Sequence, residues 1–390
     1  MIRFKRCSLK IYYSLAFYIS KLYIIISTFF LKKSMPKENI LVVLKPDAMG
    51  DYVLLRNFLY HLEKNNYKIF LIGNDSWIEI VQYCDSVCID QFLPLNRKKF
   101  IRNFLYRTKI LSQLGMLNNV EMVLYPCYSR EGYSFEDIVK AIPAPSKIAW
   151  FGDLSNQNKK HREKTQSLYT ELYDDDDGDI VFEFDRNRQF FTRFLEKELT
   201  HVRPYLDIPV DSSLTLPKLY AFIFVGASAI FRQWSVEKYA EVATYIYHEY
   251  GFEIVLGGAP NDIILGKHLE KLLYKTCPCI NYVGKTTQVE LIELIARSTL
   301  LLSNETAIPH IAVSLQHPNI FVVSNGNHYG RFTPYPNYLC DRYFAIYPPE
   351  LEEISNEKEK IARFSRGSSL DIQRITSQSV IKKISEYIKL

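Results

Sequence analysis

From residue 39 the chain alternates short apolar runs with longer stretches in which apolar residues recur at helical spacing. "NILVVLK" is unbroken enough to be a strand buried on both faces. In the following "YVLLRNFLYHLEKNN", Val53, Leu54, Phe58, Leu59 and Leu62 fall on one side of a helix. "YKIFLIG", "VEMVLYP" and "SKIAWFG" continue the series as strands. Residues 155–215 break the rhythm, being polar and carrying the acidic run Asp174–Asp177, Gly178, Asp179. That run reads as a solvated loop, because four consecutive carboxylates cannot converge on one ion. A helix over 184–200 leads on to a second alternating series. There "LYAFIFVGAS", "FEIVLGGAP", "LLLS" and "NIFVVS" are strands, and "SVEKYAEVATYIYHEY", "DIILGKHLEKLLY", "QVELIELIAR" and "IPHIAVSL" are helices. Strands alternating with helices predict parallel sheets. The expected fold is α/β, with two similar doubly wound, Rossmann-like domains facing each other and the active site in the cleft between them.

The first 37 residues follow a different pattern. "IYYSLAFYISKLYIIISTFFL", residues 11–31, is long enough to span a bilayer. Its polar positions nevertheless line up, since Lys10, Ser14, Lys21, Thr28 and Lys32 lie within roughly 20° of one direction at about 100° per residue. A helix crossing the membrane would place Lys21 near the centre, at a cost of about 2.5–3.5 kcal/mol. The stripe favours a helix lying in the interface over one that spans, and no small-x-small cleavage site follows it. Residues 1–37 are therefore expected to form a basic, aromatic, membrane-associated helix. Residues 38–210 are expected to form the first domain, 211–350 the second, and 351–390 a helical tail.

Length agrees with this division, because 390 residues exceed one ordinary core. Charge sharpens it. The formal net charge is +5, but residues 1–37 hold eight cations and no acid, so the remainder sums to −3. The body has no basic excess, which argues against a nucleic-acid partner. The seven cysteines lack the paired spacing of a zinc site and read as reduced thiols.

The first strand-to-helix turn, "LKPDAMGDYV", lacks the GxGxxG of a dinucleotide site and offers Asp51 instead, near a helix N-terminus. A plain helix cap is the alternative role for this residue. In the second domain Gly226, Ala227 and Ser228 follow the first strand, where small residues let backbone N–H groups approach an anion. Arg232 adds a forked cation. Gly257 ends the next strand. Asn304, Glu305 and Thr306 surround a helix start, with His310 one turn in.

"LKPDAMGDYV", "GASAIFRQWSVEKYAEV", "LGGAPND", "VGKTTQVELIELIARSTLLLSNETAIPHIAVSL" and "GRFTPYP", in this order over about residues 39–340, resemble the motifs of glycosyltransferase family 9, the ADP-heptose:lipopolysaccharide heptosyltransferases and their relatives. The resemblance implies a GT-B fold, a nucleotide-sugar donor held mainly by the second domain, and inversion at the anomeric carbon without a metal. Asp51 matches the family's catalytic carboxylate. Ala227, Ser228, Arg232, Asp262, Glu305, Thr306, Ala307 and His310 are the donor-side residues that the resemblance implies, and Gly226, Gly257, Thr286 and Asn304 complete the candidate donor site. Lys45, Arg130 and Arg331 are candidates for the acceptor side. Glu305 stands where the family has Asp, and Ala307 where it has Gly, so the sugar pocket departs from the family pattern.

Function then follows as an expectation. Asp51 takes the proton of an acceptor hydroxyl as that oxygen attacks C1 of the sugar, and Arg232 stabilises the departing diphosphate. The donor is expected to be ADP-linked and no metal is required. The acceptor is expected to be lipid-linked or a glycan of the lipopolysaccharide core or cell surface. Residues 1–34 would hold the enzyme on the cytoplasmic face of a bacterial inner membrane. The alternative is a catalytically inactive relative that binds a sugar nucleotide or a partner at the membrane.

Overall fold

The computed structural model describes residues 18–19, 40–63, 67–174, 180–208 and 214–388. The predicted N-terminal helix lies outside the described residues apart from Tyr18 and Ile19, as does the acidic run beyond Asp174. Among the described residues, no helix is long and apolar enough to cross a membrane.

The chain divides into two compact units. The first comprises residues up to Tyr52, Phe58–Gly178 and Gln189–Leu199. Its sheet holds β1 (Ile40–Lys45), β2 (Lys68–Asn74), β3 (Gln91–Leu95), β4 (Val120–Tyr125), β5 (Ser146–Trp150) and β6 (Glu171–Tyr173). All neighbours are parallel, in the order β3-β2-β1-β4-β5-β6. Leu41, Val42, Val43 and Leu44 are completely buried, as an unbroken apolar run requires. One core layer joins Val42 and Leu44 to Phe100, Leu111 and Ile138 from the crossover helices and to Phe135 from the turn before Glu136–Ala141.

The second unit comprises Val53–Asn57, Asp179–Arg188 and Thr200–Leu390. It holds β7 (Tyr220–Phe224), β8 (Glu253–Gly257), β9 (Cys279–Asn281), β10 (Leu300–Asn304), β11 (Ile320–Val323) and β12 (Tyr343–Ile346). The order is β12-β11-β10-β7-β8-β9, again all parallel. Counted from its own first strand, this repeats the order of the first sheet. In both sheets the winding direction reverses at one place, between β1 and β4 and between β7 and β10. Ligands of doubly wound sheets bind outside the strand ends at that switch point.

The helix Val236–Tyr250 shows how local signals agree with packing. Ser235 caps it by accepting from the Lys238 N–H at 3.3 Å, and Gly251 ends it at φ 68°. Val236, Tyr239, Val242, Ala243 and Ile246 form its buried face. The C-terminal tail is part of the same unit. Val380 and Ile384 of the helix Ser377–Tyr387 enter its core, and Trp234 donates its indole N–H to the Ile375 carbonyl at 3.0 Å.

One predicted helix is broken. Residues 52–66 are not continuous but form Met49–Val53, a 3-10 turn at Arg56–Phe58, and Leu59–Glu63. Side chains capture backbone groups around the break. Asn187 donates to the Leu54 carbonyl at 3.1 Å, and Asn57 exchanges hydrogen bonds with the backbone of Tyr205 at 2.9 and 3.1 Å. Arg56, fully buried, also donates to the Tyr205 carbonyl.

Candidate functional site

In the first unit the switch point is built by the ends of β1 and β4. Lys45 ends β1 with its ammonium fully buried, 3.0 Å from the Asp47 carboxylate. Cys127, just beyond β4, donates its thiol to the same carboxylate at 2.7 Å. Burial pushes the Asp47 carboxyl up, but Lys45, the Cys127 thiol and Arg97 outweigh it and hold Asp47 below the ordinary carboxylate range. Burial, and then Asp47, push the Cys127 thiol well up, so it stays protonated and donating. Asp51 lies in the first turn of Met49–Val53, half-buried, and its charge also raises Cys127. Lys45 thus faces a carboxylate of its own turn, that of Asp47.

The turn is braced from behind. Tyr52, next to Asp51, is fully buried, stacks on Trp77 at 4.0 Å and donates to Asp85 at 2.6 Å. Trp77 and Asn74 donate to the Asp47 carbonyl at 3.1 and 3.2 Å. Gly73 makes room for that indole, since a Cβ there would lie 1.9 Å from the Trp77 ring. Sequence reasoning singled out Asp51 and Lys45 but missed Asp47 and Cys127. The K-x-D spacing was visible, but the thiol 80 residues further on was not.

Arg130 is placed away from any surface. It is fully buried, 2.6 Å from the equally buried Glu136, with its guanidinium 4.7 Å from the Tyr169 ring centroid. Arg331, in the second unit, is largely buried and bonds Glu183 at 2.9 Å.

In the second unit three separate sequence stretches meet at the ends of β7, β8 and β10. Asn304, completely buried, donates to the Val225 and Gly226 carbonyls at 3.0 and 3.1 Å and accepts from the Trp234 N–H at 3.1 Å. Asp262 accepts from the Ala259 N–H at 2.8 Å, and its carboxylate packs so closely on Gly226 that a Cβ there would lie 2.0 Å away. Burial pushes Asp262 up. Gly257 abuts Phe222, leaving 2.2 Å for a Cβ. Ala227 is half-buried and Ser228 exposed, directly after this braced turn. Thr286 precedes Thr287, which caps the helix Gln288–Ala296.

Glu305 is buried, receives a hydrogen bond from Ser324, and lies 3.8 Å from the Arg232 guanidinium. Burial raises its carboxyl, against the pull of Arg232. Thr306 caps the helix Ala307–Ser314 by accepting from the Ile308 N–H at 3.2 Å. His310 is buried one turn in and shares a 2.8 Å hydrogen bond with Tyr335. Burial holds its pKa down at about 4, leaving a neutral imidazole. Among the described residues, no three His, Cys, Asp or Glu side chains are grouped to hold a metal ion.

Comparison with known proteins gives this geometry a context. The family described as glycosyltransferase family 9 (heptosyltransferase) matches residues 157–347. A lipooligosaccharide heptosyltransferase 2 of Haemophilus influenzae is 27% identical over 160 residues, 40% of this chain and 43% of that protein. Its counterpart in Haemophilus ducreyi is 30% identical over 105 residues, 26% of this chain and 30% of that protein. The match therefore spans less than half the length of these curated relatives. Among solved structures, a glycosyltransferase family 9 protein from Veillonella parvula has a TM-score of 0.67 at 17% identity, covering 91% of this chain and 99% of that one. The E. coli heptosyltransferase WaaC with ADP has a TM-score of 0.66 at 14% identity, covering 89% and 99%. At those identities the likeness is one of fold.

Two predictions follow from the placements. Arg130→Ala leaves Glu136 buried without its partner and should cost about 3–5 kcal/mol of stability, measured by urea unfolding. A loss under about 1 kcal/mol would free Arg130 for a ligand role. Lowering the pH should also destabilise the second unit. His310 and His317 are both held near 4 by burial, against an ordinary 6.5. The unfolded chain takes up protons first, so stability is lost as pH falls from 6.5 towards 4, by roughly 3 kcal/mol at most for each histidine. The double variant His310→Asn, His317→Asn should show a shallower melting-temperature profile across that window, whatever its absolute stability.

Proposed function

This chain is a heptosyltransferase-like member of glycosyltransferase family 9, and on that premise we propose that it transfers a sugar from a nucleotide-diphosphate sugar to an acceptor of the lipopolysaccharide core or another cell-surface glycan. Asp51 is the general base. It removes the proton of the acceptor hydroxyl as the oxygen attacks C1, and the nucleotide diphosphate leaves in a single inverting displacement. The second unit holds the donor. Backbone N–H groups after Gly226, the Arg232 guanidinium and the N-terminus of Ala307–Ser314 offset the charge developing on the leaving diphosphate. The observation that carries this reading is the switch-point arrangement of that unit, in which Asn304 and Asp262 bind the ends of β7, β8 and β10 into one turn cluster.

An ADP-linked donor is the favoured class, since a relative of the same fold is known with ADP. Heptose itself is less favoured, because Glu305 and Ala307 enlarge the side chains lining the sugar site. The buried Lys45 ammonium balances the Asp47 carboxylate in the turn that carries Asp51. No metal takes part. Residues 1–34 seat the enzyme on the cytoplasmic face of the inner membrane, where a lipid-linked acceptor is within reach.

Asp51→Asn should fold as wild type but lose transfer, and slow donor hydrolysis, by at least about a hundredfold, the usual scale for a removed base. Wild-type turnover in that variant would leave Asp51 as a helix cap. Titration calorimetry with ADP, UDP and GDP should show ADP binding most tightly. Arg232→Ala should weaken ADP by about 1.5–3 kcal/mol. Equal affinity in both proteins would place the diphosphate elsewhere.

A further inference from the structure

Residues 91–120 contain six cations, Arg97, Lys98, Lys99, Arg102, Arg107 and Lys109, and no acid. In a chain with 48 cations and 43 acids, a gap of this length in the acids is a marked local departure. The stretch forms the edge strand β3, a short helix Arg97–Arg102, and the helix Phe104–Gly115. Asn103 joins the two helices, capping the second by accepting from the Tyr106 N–H at 2.9 Å.

The six cations fall into two groups. Arg107 is fully buried and pairs with Asp137, while Arg97 pairs with Glu131 at 2.6 Å. Asp47 also feels the charge of Arg97, and Asp75 accepts from Asn96 at 2.7 Å. Lys98, Lys99, Arg102 and Lys109 are exposed and form no ion pair among the described residues. Among them stands Leu105, which is 78% exposed, at the start of the second helix. Its neighbour Phe104 is half-buried.

We propose that the surface formed by Lys98, Lys99, Arg102, Leu105 and Lys109 docks the first unit onto an anionic lipid bilayer, with Leu105 entering the headgroup layer. Four cations without counter-charges complement an anionic membrane, where each is worth about 1 kcal/mol. A bare leucine among them is costly in water and gains by insertion. The position agrees as well. The helix Arg97–Arg102 follows the carboxyl end of β3, and in a parallel sheet that is the same end as the Asp51 turn after β1. β3 is two strands from β1, about 10 Å. A unit resting on this patch presents its acceptor-side turn near the lipid surface. The inference extends the proposed use of a lipid-linked acceptor, but its test uses vesicles that contain no acceptor.

The experiment is flotation of the full chain with phosphatidylethanolamine vesicles carrying phosphatidylglycerol at roughly one lipid in four, a strongly anionic surface. The N-terminal segment is the same in every protein compared, so differences report the patch. Lys98→Gln, Lys99→Gln, Arg102→Gln and Lys109→Gln together should lower the partition coefficient by at least about tenfold near 0.1 M salt, and the difference should vanish near 1 M salt. Transfer to a water-soluble acceptor should be unchanged. The indole introduced by Leu105→Trp should shift its emission to the blue when vesicles are added. Unchanged partitioning of the quadruple variant, or an indole that stays in water, overturns the proposal. Displacement of the protein by millimolar inorganic phosphate would also overturn it, since that would mark a discrete anion site instead of a membrane surface.

Discussion

The Asn304 carboxamide joins parts of the second unit that are otherwise far apart in the chain. It sits at the end of β10 with no exposure to water, and its three hydrogen bonds reach the two residues after β7 and the N–H of Trp234. An unmet amide in that position would cost about 1–3 kcal/mol for each lost partner. The requirement to satisfy it sets the path of residues 225–234. The position of Arg232, the closeness of Gly226 to Asp262, and the docking of Trp234 beneath the C-terminal segment all follow from that path. The first unit uses a charged equivalent, in which the buried ammonium of Lys45 and the thiol of Cys127 gather around Asp47 and define the turn that carries Asp51.

The central strands were legible in the sequence and the outer ones were not. β1, β2, β4, β5, β7, β8, β10 and β11 lie inside their sheets and therefore appear as runs dominated by apolar residues, broken in β4 by Glu121 and opened in β5 by Ser146 and Lys147. β3, β6, β9 and β12 are the four edges. β3 carries Pro94, which argues against a strand when read alone, and β6 and β9 are three residues long. The break in the helix over residues 52–66 was hidden for a different reason. It depends on Asn187 and Tyr205, more than 130 residues away, which bind the backbone or side chains of residues 54–57. The candidate site divides in the same way. Asp51, Arg232 and the stretch 304–310 were visible because they sit in turns after recognisable strands. The partnership of Asp47 with Cys127, and of Arg130 with Glu136, rests on tertiary burial that no spacing reveals.

Arginine has a structural role in this chain beyond its charge. Arg56, Arg107 and Arg130 are among the largest fully buried side chains. Arg107 lies over Phe100 and Arg130 over Tyr169, at 4.5 and 4.7 Å from the ring centroids. A chain rich in Tyr and Phe offers flat apolar faces on which a guanidinium stacks, while its fork satisfies a carboxylate or a carbonyl.

The proline in β3 has a consequence for how copies of this protein meet. An edge strand normally offers a row of N–H and C=O groups on which another strand can add. Pro94 lacks an N–H and interrupts that row, and the remaining three edges are only three or four residues long. Among the described residues, neither sheet therefore presents a long, regular template, and growth from molecule to molecule by strand addition along these edges is disfavoured even at high local concentration on a surface.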